Sequence, residues 1–157
     1  MQSAALLDRG LHRRLVDGLY LEAMVMADEA RAYFDGGSAA DDGSGDPLRR
    51  VAFACESLKV TTRLMHIIAW LLGQRAWQRG EIGDADLADD KYRLGRAART
   101  DAMLAADFPF AASALIDASQ ELYERVARLQ DRMDPMSLPA ADASPARALL
   151  DRLQTAF

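Results

Sequence analysis

Chemistry needs side chains that can move a proton, attack a carbon or hold a metal, and few in this sequence are spaced to act together. The histidines are His12 and His66. A carboxylate-bridged two-metal site in a helical bundle uses Glu-x-x-His pairs, because that spacing puts both ligands on one helix face. Neither histidine has a glutamate three residues before it, so the spacing argues against such a site. His66 lies in the nearly apolar run Leu64 to Gly73, with no Ser, Cys or acid placed beside it as a nucleophile pair. Those surroundings favour a hydrogen-bonded structural histidine over a general base. Cys55 is the single cysteine, so no disulfide or cysteine zinc site can form within the chain. Its neighbour Glu56 opposes the thiolate that reactivity requires. The glycines between residues 35 and 47 match no phosphate-binding loop. No catalytic, cofactor-binding or metal-ligating residue is therefore expected.

Two basic rows, Arg9, His12, Arg13 and Arg14, and then Arg93, Arg96 and Arg99, could touch nucleic acid. Asp8, Asp17 and Asp101 interrupt them, which favours a solvated or protein-binding face. Overall, 19 Lys+Arg stand against 24 Asp+Glu, a net charge of −5, and a general phosphate binder needs the opposite excess. Trp70 and Trp77 stand seven residues apart on one face of a helical pattern. Tryptophan is enriched at interface hot spots. The two readings for them are packing inside the chain and contact with a second copy.

Helices must position these residues. A chain of 157 residues with 50% hydrophobic and 27% charged content has the make-up of one soluble domain. The stripe Leu11, Leu15, Leu19, Ala23, Met26, Ala30 and Tyr33 predicts a first helix over about residues 4–34, with Gly10 and Gly18 weakening its early turns. The run DGGSAADDGSGDP, residues 35–47, predicts a mobile loop. Asp46 and Pro47 then form an N-cap and first-turn pair for a second helix, ending near Gly80. Its stripe Val51, Cys55, Leu58, Thr62, Met65, Ala69, Leu72 and Ala76 steps by four and three like a heptad seam. A parallel stripe, Phe53, Val60, Leu64, Ile67 and Leu71, makes this helix apolar nearly all round, so it is either central or shared with a partner chain.

Residues 84–108 read as a surface connector with a short helix from about Asp84. A third long helix from Pro109 carries Ala112, Leu115, Ser119, Leu122, Val126, Leu129 and Met133, widened by Ile116 and Tyr123. Pro135 and Pro139 end it. Ser144-Pro145 opens a final amphipathic segment bearing Leu149, Leu150, Leu153 and Phe157. The expected fold is all-α: a three-long-helix antiparallel bundle over residues 1–133 with a connector helix, and a proline-jointed tail over 134–157. No secretory signal or membrane-spanning run is evident, which places the chain in the cytoplasm.

Three blocks carry a resemblance: LYLEAMVMADEARAYFD at Leu19 to Asp35, CESLKVTTRLMHIIAWLLGQRAWQRGEI at Cys55 to Ile82, and ASQELYERVARLQ at Ala118 to Gln130. Together they resemble the alphaproteobacterial regulators of CtrA degradation, the RcdA family, across all three long helices in order. That resemblance implies a homodimeric three-helix bundle without catalytic activity. It implies an adaptor that helps the protease ClpXP degrade cell-cycle regulators, alongside ClpX itself, a response-regulator-like primer and a cyclic-di-GMP-responsive partner. On this reading Met65, Ile68, Trp70 and Trp77 offer a self-association or cargo face, and Leu149, Leu150, Leu153 and Phe157 a docking tail. The competing classes are a dimeric scaffold without a protease link, a DNA-associated regulator using the arginine rows, and an enzyme or metal-binding bundle.

Overall fold

The computed structural model describes residues 2–36 and 45–134, with side chains described from residue 8 onward. The glycine-rich loop expected over 35–47 lies mostly outside these residues, and the tail beyond Asp134 wholly so. The described residues are all-α. Three long helices, α1 (Gln2–Asp35), α2 (Pro47–Gln78) and α5 (Phe110–Met133), pack together, while α3 (Asp84–Leu87), a 3₁₀ turn (Asp90–Tyr92) and α4 (Ala102–Ala105) lie in the connection between α2 and α5.

Local chemistry sets the helix ends. The Leu48 amide donates to Asp46 Oδ1 at 3.0 Å, with Pro47 in the first turn, so Asp46 caps α2 as its sequence predicts. At the other end the Glu81 amide reaches back to Ala76 O at 2.9 Å and the Gly80 amide to Trp77 O at 3.0 Å. This paired return needs a left-handed residue, and Gly80 supplies it at φ 74°. Gly10 and Gly18 do not interrupt α1.

The core is drawn from one face of each long helix: Val16, Leu19, Ala23 and Ala30 of α1, Val60, Leu64, Ile67, Trp70 and Leu71 of α2, and Ala112, Ile116, Leu122 and Val126 of α5. On α5 this is the face its spacing predicts. On α1 and α2 the expected stripes need correction. Leu11 and Leu15 are exposed, because the core line of α1 is rotated toward Val16 and Tyr20. On α2 the stripe expected as second is the core, and the leading one, from Val51 to Leu72, faces solvent. Cys55 is accordingly exposed.

Cross-links establish the direction of each helix. Near one end, His12 Nε2 lies 3.3 Å from Gln74 Oε1 and Asp17 pairs with Arg75 at 3.4 Å. At the opposite end Tyr33, Phe34, Phe53 and Phe108 form an aromatic cluster with neighbouring centroids 5.2–6.5 Å apart. Arg125 donates to Glu22 at 2.7 Å between α5 and α1. α1 therefore runs antiparallel to both partners. α5 runs in the same sense as α2, since Phe53 meets Phe108 and Arg63 meets Ser119. Two parallel helices need a long crossover between them, and the segment from Arg79 to Pro109 is that crossover.

The crossover is more than the surface connector its thin apolar face suggests. Residues 94–100 lie against α2 and α5 as an extended strap. Its Leu94 and Thr100 amides donate to Gln130 Oε1 and Gln120 Oε1, both at 2.7 Å, and Tyr123 donates its hydroxyl to Gly95 O at 2.8 Å. Arg63, only 1% exposed, donates to Ala98 O at 3.0 and 3.1 Å, to Ser119 Oγ at 2.9 Å and to Thr100 Oγ1 at 2.6 Å. Thr100 in turn donates to buried Glu56 at 2.5 Å. Burial pushes the Arg63 guanidinium below its ordinary pKa, with the Glu56 charge opposing that shift and Arg99 adding to it. At Gly95 a side chain would meet the His66 ring at 2.8 Å, so only glycine lets the strap lie this close. His66 thus serves as packing for the strap, and its Nδ1, expected to be hydrogen-bonded, has no partner among the described residues.

Truncating Arg63 to alanine leaves the Ala98 carbonyl without its donors and removes one donor from Ser119 Oγ and Thr100 Oγ1, while Glu56 keeps Lys59 at 2.7 Å. Urea unfolding of Arg63→Ala should show a loss of about 2–4 kcal/mol, from more than one buried acceptor losing its donor, and of Thr100→Val about 1–3 kcal/mol. A change below ~0.5 kcal/mol in both would mean that the network does not hold the strap.

Candidate protein-binding surface

The outer face of α2 is the first feature left over once the core is built. Val51, Cys55, Leu58, Thr62, Met65, Ala69 and Leu72 are all exposed and step by four and three. They lie opposite Val60, Ile67 and Leu71 around the helix, because a 100° turn per residue puts the two sets half a turn apart. Val51 is 61% exposed, Leu58 66%, Met65 63% and Leu72 46%. No seam position between Val51 and Leu72 carries a charge. Scattered surface leucines need no explanation, but a continuous uncharged row of about six turns makes this face a candidate protein-binding surface.

The second feature lies at the end of the bundle where α2 stops. A cleft of about 760 Å³ opens between the first turns of α1 that have described side chains, Trp77 of α2 and the last turn of α5. Leu11, Leu15, Leu129 and Met133 give it an apolar wall, and Arg9, Arg13 and Arg132 are among its charged lining residues. The Trp77 indole is held in place by donating Nε1–H to Asp84 at 2.6 Å, and the His12 ring meets it edge-on with centroids 6.1 Å apart.

The four residues expected to share one face are divided among three settings. Met65 lies on the outer stripe. Ile68 packs partly buried against the core, and Trp70, 3% exposed, is a core residue outright. Trp77 lines the end cleft. A seven-residue spacing puts two residues on one helix face but cannot say that the neighbour stays the same along the helix: α2 is covered at Trp70 and opens into the cleft at Trp77. Leu149, Leu150, Leu153 and Phe157 lie outside the described residues. In the second basic row, Arg93 faces Asp134 at 3.5 Å and Arg99 pairs with Glu124 at 2.8 Å, so acids accompany both.

No local signal in the sequence separates the outer stripe of α2 from its core face. Glu56, Arg63 and Gln74, whose types argue for solvent, lie on the buried side of α2, with the stripe opposite them. Among the described residues no group of three or more His, Cys, Asp or Glu could hold a metal ion, and no helix is long and apolar enough to cross a membrane.

Residues 7–157 match the protein family described as "Protein of unknown function (DUF1465)". The chain is also similar to the crystal structure of RcdA from Caulobacter crescentus CB15, with 33% identity over 80% of this chain and 96% of that one and a TM-score of 0.63. No curated protein matches.

The division between core and stripe has a direct energetic consequence. Trp70→Ala should lower unfolding stability by about 3–5 kcal/mol, whereas Met65→Ala and Leu58→Ala, measured at low protein concentration, should stay within ~0.5 kcal/mol of the parent. Equal losses at all three positions would mean that the stripe is buried within the monomer.

Proposed function

The chain belongs to the DUF1465 family, the family of RcdA, and from that membership we propose that it is a non-enzymatic adaptor of regulated proteolysis in the cytoplasm. It works as a homodimer, and it helps bring cell-cycle regulatory proteins to ClpXP together with a response-regulator-like primer and a cyclic-di-GMP-responsive partner. An adaptor raises the concentration of one protein beside another and needs surfaces instead of chemistry. The observation that carries this reading is the uncharged stripe on the outer face of α2.

The stripe's pattern suits a second copy of the same helix. Alternating steps of four and three are the seam of packed helices, and a seam without charge can face its own copy without repulsion. A two-fold contact is self-complementary by symmetry. Antiparallel pairing centred near Thr62 sets Leu58 against the partner's Met65, burying the most exposed large residues of the seam. Depletion of charge in the middle of the patch also fits the composition of homodimer interfaces.

The test joins self-association to partner recovery. Light scattering on the full chain should give a dimer, and Leu58→Asp with Met65→Asp should give a folded monomer with unchanged helical circular dichroism. A pull-down from the native cytoplasm should recover ClpX, a primer receiver protein or unstable regulators. A dimer that recovers none of them is a scaffold without a protease link, and a wild-type monomer removes the role proposed for the stripe.

A further inference from the structure

The end cleft is one part of a longer groove. A second cavity of about 560 Å³ adjoins it and shares Trp77, Asp84 and Met133 with it, running on past Tyr92 to Asp134. The walls are fixed by contacts already described, the indole of Trp77 on Asp84 and Leu94 held by Gln130. Along the α1 side of the groove Leu11 is 67% exposed and Leu15 44%. These are the residues whose spacing marks them for burial, and nothing in residues 8–134 covers them.

The chain itself carries a segment suited to that wall. Asp134, a lining residue of the groove, is the last residue described, so the sequence that follows is attached at the groove's own edge. Residues 145–157 begin with the cap and first-turn pair Ser144-Pro145 and place Leu149, Leu150, Leu153 and Phe157 on one helical stripe. A helix of about 13 residues is marginal in water alone and needs an apolar surface to persist. The joint from Pro135 to Ser144 spans at most roughly 33–36 Å, enough to return along the groove. A tether of this length holds the segment near the site at an effective concentration on the order of millimolar.

We propose that the groove is the docking site of this chain's own segment 145–157, with its leucine face laid against Leu11, Leu15, Trp77 and Met133. Any partner that takes either the groove or the segment must then displace an intramolecular contact, so each controls access to the other. The inference stands on the groove and the segment, independently of the protease reading.

The full chain tests it in two ways. With Cys55→Ser, Leu15→Cys and Leu153→Cys, mild oxidation should give an intrachain disulfide, seen as a faster monomer band without reductant, while Leu58→Cys in place of Leu15→Cys should not. By hydrogen exchange, wild-type amides of 147–157 should be protected at least tenfold more than in Leu11→Asp with Leu15→Asp, variants at exposed positions that leave the core intact. Disulfides formed only between chains would assign the groove to the segment of a second copy and overturn the proposal. Unprotected wild-type amides in 147–157 would overturn it as well.

Discussion

The fold depends on a single buried cation. Arg63 sits in the centre of α2 with almost no exposure, and its guanidinium is satisfied by the strap carbonyl of Ala98 and the hydroxyls of Thr100 and Ser119. Burying a charge is costly unless it is paired and fully hydrogen-bonded. The fork of donors on arginine meets that demand only if α2, the strap and α5 hold one fixed arrangement. The same contacts that remove the penalty therefore specify where the crossover lies. With the strap fixed, α5 can run parallel to α2, a geometry that a short loop could not produce.

That constraint decides which surfaces are left for other proteins. α1 covers one side of α2, α5 another, and the strap lies along the groove between α2 and α5. The remaining side is the stripe from Val51 to Leu72. It faces away from α1, α5 and the strap, so among the described residues nothing covers its apolar side chains. At the end of α2 the covering elements diverge, because the crossover turns away at Gly80 and leaves Trp77 as one wall of the groove. Surface and groove both follow from the way the crossover is anchored.

Much of the fold was legible in the sequence, and what was misread shares one physical cause. α5 is amphipathic in the ordinary way, with Ala112, Ser119 and Val126 inward and charge outward, and its face was read correctly. Asp46 and Gly80 mark the ends of α2 because caps depend on local chemistry. On α1 the expected stripe is the core from Leu19 to Tyr33 and departs from it only at Leu11 and Leu15. On α2, by contrast, the leading stripe is not the core face, because periodicity reports that a helix has an apolar stripe, not which of two stripes meets the core. On α2 the buried face contains Glu56, Arg63 and Gln74, residues whose type argues for solvent. The burial of Arg63 depends on Thr100 and Ser119, 37 and 56 residues away in sequence, and that of Gln74 on His12, 62 residues away, and no local pattern encodes those pairings. The block Cys55 to Ile82 that carries the family resemblance includes Arg63, so the key residue was in view without its role.

The two proposed surfaces lie on different parts of the molecule, and this separation matters for an adaptor. The stripe occupies the middle of the outer face of α2, while the groove lies at the bundle end between α1, Trp77 and α5. Pairing through the stripe leaves the groove open, so a two-fold dimer presents two copies of it. A partner with two matching segments, or two partners held together elsewhere, would then bind with the gain that comes from making the second contact intramolecular. A contact by the chain's own tail sets a threshold against which that gain acts, because a weak single segment competes poorly with a tethered one and a bivalent partner competes well. Selectivity for assembled partners can arise in this way from the placement of two apolar surfaces, without catalytic chemistry.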